Sequence, residues 1–170
     1  SPTMCLAKWY HVSLYLHLGK NHSCYHPTPH SMSKKAVSMK PAALHNTDYK
    51  KLQRKRMLEG KKPKECEYCW KIEGLGNQQV SDRMIKSFEQ NRVDSKYLDQ
   101  AMKKSWKKDF NPTVVEVSFS NLCNFKCLYC HPKASSSWQA EIQRHGPYQK
   151  IFNDYNFDGE NIMREKDNVF

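Results

Sequence analysis

The chain has 170 residues, of which 38% are hydrophobic, a formal charge of +11 and seven cysteines. No apolar run approaches the roughly eighteen residues of a membrane span and the N-terminus lacks a basic-then-apolar signal layout, so the expectation is a cytoplasmic protein with no membrane contact. The odd cysteine count, grouped mainly into C-x3-C-x2-C and C-x2-C clusters, argues against a disulfide framework and for metal ligation in a reducing compartment.

Along the chain, Val12, Leu14, Leu16 and Leu18 alternate with His11, Ser13, Tyr15 and His17, which predicts a half-buried strand from His11 to Leu18. Gly19-Lys20-Asn21 reads as a turn into a second short strand carrying Cys24. The stretch from Pro27 to Pro41 holds prolines, serines and histidines without a period and reads as a loop. Thr47 then caps a helix through Tyr49, Leu52 and Met57 to about Gly60, with Pro63 as a stop and Cys66 and Cys69 in the loop beyond.

Two more helices are expected, one from Ser81 through Met84, Ile85 and Phe88 and one from about Ser95 through Leu98, Ala101 and Met102 to Trp106. Asn111-Pro112 marks a domain boundary. Thr113 to Phe119 is β-rich, a cysteine loop follows, and a serine-capped helix runs from Ser135 to about His145 around Trp138 and Ile142. From Gly146 to Phe170 the sequence is polar and weakly patterned.

The positive charge is concentrated in Lys50, Lys51, Arg54, Lys55, Arg56, Lys61, Lys62 and Lys64, then in Lys103, Lys104, Lys107 and Lys108. Solvated helical faces account for such runs. Phosphate binding is a second reading, with Trp9, Tyr10, Tyr49, Tyr68 and Trp70 as stacking aromatics, although filling a small core is their more ordinary use, and offsetting the negative charge of thiolate-ligated clusters nearby is a third.

Cys5, Cys24, Cys66 and Cys69 have the makings of a closed four-ligand site whose metal would supply folding energy. Spacing alone leaves zinc and iron equal, with His26 or His30 as a substitute ligand. The run Cys123-Asn-Phe-Lys-Cys127-Leu-Tyr-Cys130 offers three thiolates and no fourth, so a [4Fe–4S] cluster held there keeps one iron open. A zinc knuckle that adds His131 would strain two adjacent ligands onto one ion. Neither cluster has the ferredoxin register.

The C-x3-C-x2-C loop, with Tyr129 just before its last cysteine, resembles that of the radical SAM enzymes. The resemblance implies a SAM-binding [4Fe–4S] cluster on Cys123, Cys127 and Cys130, S-adenosylmethionine chelated by the open iron with Tyr129 beside its adenine, and reductive cleavage to a 5′-deoxyadenosyl radical. Cys5-Leu-Ala-Lys-Trp9, the hairpin ending at Cys24, and Lys61-Lys-Pro-Lys-Glu-Cys66-Glu-Tyr-Cys69 resemble a SPASM or twitch domain, which implies an auxiliary [4Fe–4S] cluster on Cys5, Cys24, Cys66 and Cys69. An external electron donor and a peptide or protein substrate follow from the same resemblance, while the basic runs leave an RNA substrate open.

The implied architecture is an α+β auxiliary-cluster domain over residues 1–80, a helical linker over 81–111, and the first βα unit of a partial (β/α) barrel over 112–170. A full eight-stranded barrel takes about 250 residues, so this barrel is incomplete in the chain. The GGE-type strand motif of the family is not found, and Asp158-Gly159-Glu160 reads as a turn. The expectation is a fragment of a longer enzyme, inactive alone, with an open parallel edge and an uncovered sheet face. The rival from another class is a zinc-stabilised basic nucleic-acid-binding module without catalysis.

Overall fold

Four residues of helix, α1 (Ala7–Tyr10), lead directly into β1 (His11–Tyr15), the first strand that the alternating pattern announces. A computed structural model of the chain describes residues 1–76, 79–130 and 132–146, so His131 and Asp158-Gly159-Glu160 lie outside the described residues, as does the rest of the segment from 147. The alternation continues to Leu18 in sequence but not in structure. Leu16–Leu18 form a single 3-10 turn that ends at Gly19, whose φ of 60° lies in the left-handed region. The turn therefore precedes Gly19, Lys20–His22 form β2, and Cys24 sits just past that strand.

The stretch from 27 to 41 is not all loop: it holds β3 (His30–Ser31) and α2 (Lys34–Met39), the latter capped by the Ser33 hydroxyl accepting from the Ala36 amide. Elements this short show too little of a period to register as a pattern. Beyond them come α3 (Asp48–Leu58), α4 (Glu67–Gly74), α5 (Asp82–Val93), α6 (Lys96–Lys103), β4 (Val114–Ser118) and α7 (Ser136–His145). Thr47 caps α3 by accepting from the Lys50 amide at 3.2 Å, and Ser135 caps α7 by accepting from the Trp138 amide at 3.3 Å. The helix expected to reach Trp106 ends at Lys103, and Cys66 and Cys69 lie at the start of helix α4 instead of in a loop.

The result is an α+β fold with one small mixed sheet, in the strand order β3-β2-β1-β4. β1 pairs antiparallel with β2 and parallel with β4, with His11 opposite Val114 and Tyr15 opposite Ser118. Strands from both sides of residue 112 thus share one sheet. Val12, Ser13 and Leu14 of β1 are all buried, whereas Val114, Val115 and Val117 of the edge strand β4 are all exposed. Among the described residues β4 is therefore an edge strand with an exposed face.

The segment from 81 to 111 packs on α1. Ser87 of α5 accepts from the Leu6 amide at 3.0 Å, Arg83 donates to the Met4 carbonyl at 2.8 Å, and the Tyr10 hydroxyl donates to the Tyr97 carbonyl at 3.0 Å. Leu6, Trp9, Tyr10, Met57, Ala101 and Phe110 form one core there, and Val12, Leu14, Leu16, Met32 and Val37 form a second. Trp9, at 0% exposure, and Tyr10 therefore serve packing, the ordinary use of such aromatics.

α3 corrects the reading of the basic run as a solvated face at two positions, Lys50 and Arg54, whereas Arg56, Lys61, Lys62, Lys64, Lys103, Lys104, Lys107 and Lys108 are exposed. Its core-facing stripe at helical spacing is Lys50, Gln53, Arg54 and Met57, while Tyr49 and Leu52 are exposed. The cause lies in the carbonyls that α1 leaves open where it ends. Arg54 Nε donates to the Lys8 carbonyl at 2.9 Å, His45 Nε2 to Trp9 at 2.7 Å, the Thr113 amide to Tyr10 at 2.8 Å, and Lys50 Nζ to His11 at 2.7 Å. Buried polar groups of α3 thus complete the hydrogen bonding of α1, which a hydrophobic-period argument does not anticipate.

Candidate metal centre

Three separated segments bring Cys5, Cys24, Cys66 and Cys69 to one cavity of about 10 Å³. Cys5 lies just before α1, Cys24 just after β2, Cys66 at the N-cap of α4 and Cys69 in its first turn. All seven cysteines are free, and three of this set are buried. Burial pushes the Cys5 thiol up to about 11 and Cys66 up to about 12, and it raises Cys24 and Cys69 as well. The thiols act on one another: Cys24 and Cys69 push Cys5 further up, and Cys5 and Cys24 do the same to Cys66. These groups are protonated at neutral pH, and a metal that takes them as ligands must displace their protons.

The walls of the cavity are cationic, with each cation tied to a carboxylate. Lys8 pairs with Glu65, Arg83 with Glu73 at 2.6 Å, and Lys86 with Asp82 at 3.2 Å. Only Asp82 and Lys86 stand at a helical i,i+4 spacing; spacing gave no sign of the other two pairs, whose partners come from other segments. His26 also lines the cavity, but its Nε2 lies 3.0 Å from an Asp82 oxygen and its ring stacks on Tyr68 at 3.9 Å. His30 does not join them. It faces Thr47 Oγ1 at 2.7 Å and leans on Tyr49, so the option of His30 as a substitute ligand is corrected by its position.

The donor set fits a thiolate-ligated group in kind and number. Ser23 adds an independent sign, because the residue lines the same cavity and its buried hydroxyl has no hydrogen-bond partner. Among the described residues, no three or more His, Cys, Asp or Glu side chains are already grouped so that they could hold a metal ion.

Cys123, Cys127 and Cys130 occupy the loop between β4 and α7, and the start of α7 holds that loop in shape. The Cys123 amide donates to Ser136 Oγ at 3.0 Å, and Ser137 Oγ donates to the Cys123 carbonyl at 2.7 Å. Ser135 Oγ donates to the Phe125 carbonyl at 2.8 Å, and Trp138 Nε1 donates to the Cys127 carbonyl at 3.0 Å. Lys126 pairs with Glu141 across the same junction. The serines were legible in the sequence only as a cap; their grip on the cysteine loop was not.

The three loop cysteines are half-buried, and Tyr129 is 93% exposed. The Tyr129 hydroxyl is raised, first by a hydrogen bond with Cys127 and then by the electrostatic effect of that group. Because β1 and β4 run parallel, the loop after β4 lies at the opposite end of the strand pair from Cys5, which precedes α1 and β1, and from Cys24, which follows the antiparallel β2. Comparison with protein-family models, with curated proteins and with solved structures finds no match. Among the described residues, no helix is long and apolar enough to cross a membrane.

Proposed function

We propose that the chain is an iron–sulfur protein of the radical SAM type, with Cys123, Cys127 and Cys130 holding a [4Fe–4S] cluster that keeps one iron open. The observation that carries this reading is the place of the C-x3-C-x2-C loop: it starts at the C-terminal end of a strand in parallel pairing and ends at a helix start that holds its carbonyls. In parallel α/β units, cofactor chemistry gathers at that end of the strands. Cys123, Cys127 and Cys130 would hold the cluster there, and it would supply the one-electron reduction that splits S-adenosylmethionine into methionine and a 5′-deoxyadenosyl radical.

The residues of the chain then have defined work. The three thiolates ligate, α7 fixes the loop backbone, and exposed Tyr129 beside Cys127 offers a ring for the adenine. Cys5, Cys24, Cys66 and Cys69 hold a second [4Fe–4S] cluster, supported by their gathering on one cavity. The reading requires an external one-electron donor and a substrate that is a peptide, protein or RNA.

Anaerobic reconstitution with iron and sulfide tests it. The expected product is brown and holds about eight irons per chain, the content of two four-iron clusters, and its electron-spin spectrum changes on addition of S-adenosylmethionine. Alanine at Cys123, Cys127 and Cys130 abolishes that response and halves the iron. A colourless protein with stoichiometric zinc and salt-sensitive RNA binding would instead establish the nucleic-acid-binding module.

A further inference from the structure

Lys8 is the most enclosed of the three cations on the four-cysteine cavity, with its side chain 3% exposed against 12% for Arg83 and 18% for Lys86. It lines the cavity, while its partner Glu65 lines the adjoining open groove with Tyr49 and Tyr68. The ion pair is therefore oriented, with its positive end toward the thiols. Arg83 is drawn away by the Met4 carbonyl and the Trp70 ring, and Lys86 lies over Tyr25. Ser23 is the second independent observation: a residue on the same wall whose buried hydroxyl has nothing to bond.

We propose that Lys8 and Ser23 set how much negative charge the four-cysteine site carries, Lys8 as a fixed cation and Ser23 as a hydrogen-bond donor to a sulfur of the group ligated there. The inference rests on Cys5, Cys24, Cys66 and Cys69 being the ligands. Four thiolates give any iron–sulfur group a net negative charge, and one-electron reduction adds another unit. A buried cation and a donor to sulfur stabilise the reduced form more than the oxidised one, which raises the potential. The same ammonium opposes the effect of burial on Cys5, Cys24 and Cys66.

The test uses the full chain carrying C123A, C127A and C130A, so that only this site is loaded, reconstituted anaerobically and titrated with dithionite and mediator dyes. Lys8→Met with Glu65→Gln removes the pair without stranding a carboxylate, and Lys8→Gln removes the charge while keeping a donor to Glu65. Both are expected to lower the reduced-to-oxidised ratio at fixed potential about tenfold, which is about 59 mV toward negative values for one electron. Ser23→Ala shifts it about threefold the same way, and Lys8→Arg leaves it in place.

A loaded cluster whose midpoint does not move in K8Q or in K8M/E65Q overturns the role of Lys8, and an unmoved S23A overturns that of Ser23. If K8M/E65Q does not fold, K8Q decides. A parent protein that takes up no iron–sulfur chromophore overturns the ligand assignment itself, a result distinguishable from an unmoved midpoint.

Discussion

Lys50 Nζ donates to the His11 carbonyl at 2.7 Å and to His45 Nδ1 at 2.9 Å, tying the first turn of α3 to the point where α1 becomes β1. The cluster of basic groups around this junction makes stability depend on pH in a defined direction. Burial, reinforced by Lys50 and Arg54, holds His45 down to about 2, and burial with Arg54 holds Lys50 well below its ordinary range.

His45 ordinarily titrates near 6.5, so below that pH the unfolded chain binds a proton that the folded chain refuses. Its stabilising contribution is complete above 6.5 and is lost as pH falls toward 2, at about 1.4 kcal/mol per unit. His11 and His30 are lowered too and add to the slope. His45→Gln keeps a donor for Trp9 and an acceptor for Lys50. Urea unfolding at pH 7 and pH 5 should show a slope about one proton smaller in H45Q than in the parent.

Thr47→Ala removes the cap of α3 and the partner of His30 together. The expected loss is about 1 to 2 kcal/mol, with Thr47→Ser recovering most of it. The urea midpoint of the two variants measures this. An alanine variant as stable as the parent would mean that the cap hydroxyl contributes nothing.

The thiols should separate by reactivity in the metal-free chain. At pH 8 a thiol pushed up to about 11 is thiolate at only about one part in a thousand, and Cys66 at about 12 is lower still. Iodoacetamide followed by peptide mapping should label half-buried Cys123, Cys127 and Cys130 at least about tenfold faster than Cys5 and Cys66.

Ser136→Ala with Trp138→Phe removes the Cys123 amide contact and the bond to the Cys127 carbonyl while leaving every cysteine in place. The loop loses its fixed backbone. Alkylation of Cys127 and Cys130 should accelerate several-fold, and urea unfolding should shift by about 1 kcal/mol per lost hydrogen bond. Labelling of Cys5 and Cys66 should not change.

Local signals were legible in the sequence where a few neighbouring residues decide the outcome. Thr47 and Ser135 announced α3 and α7, and the alternation around Val12 and Leu14 announced β1. Signals failed where distant chain decides. The buried stripe of α3 carries Lys50 and Arg54 because carbonyls at the end of α1 need donors, and no periodicity rule encodes a requirement about forty residues away. Likewise the parallel pairing of β1 with β4 joins positions about a hundred apart. At the candidate site the cysteine spacing revealed the four sulfur positions that share a cavity, but not Lys8, Ser23 or Arg83 on its walls.

The parallel ladder of β1 and β4 separates the two cysteine-bearing ends of the chain. Five residues of extended backbone span about 16 Å, so the strand pair is an insulating strut between two terminals. Substitutions at one terminal should combine additively with those at the other, as expected for groups farther apart than about 10 Å with no shared partner. An electron passing between the clusters proposed at these two ends would have to tunnel across the intervening protein.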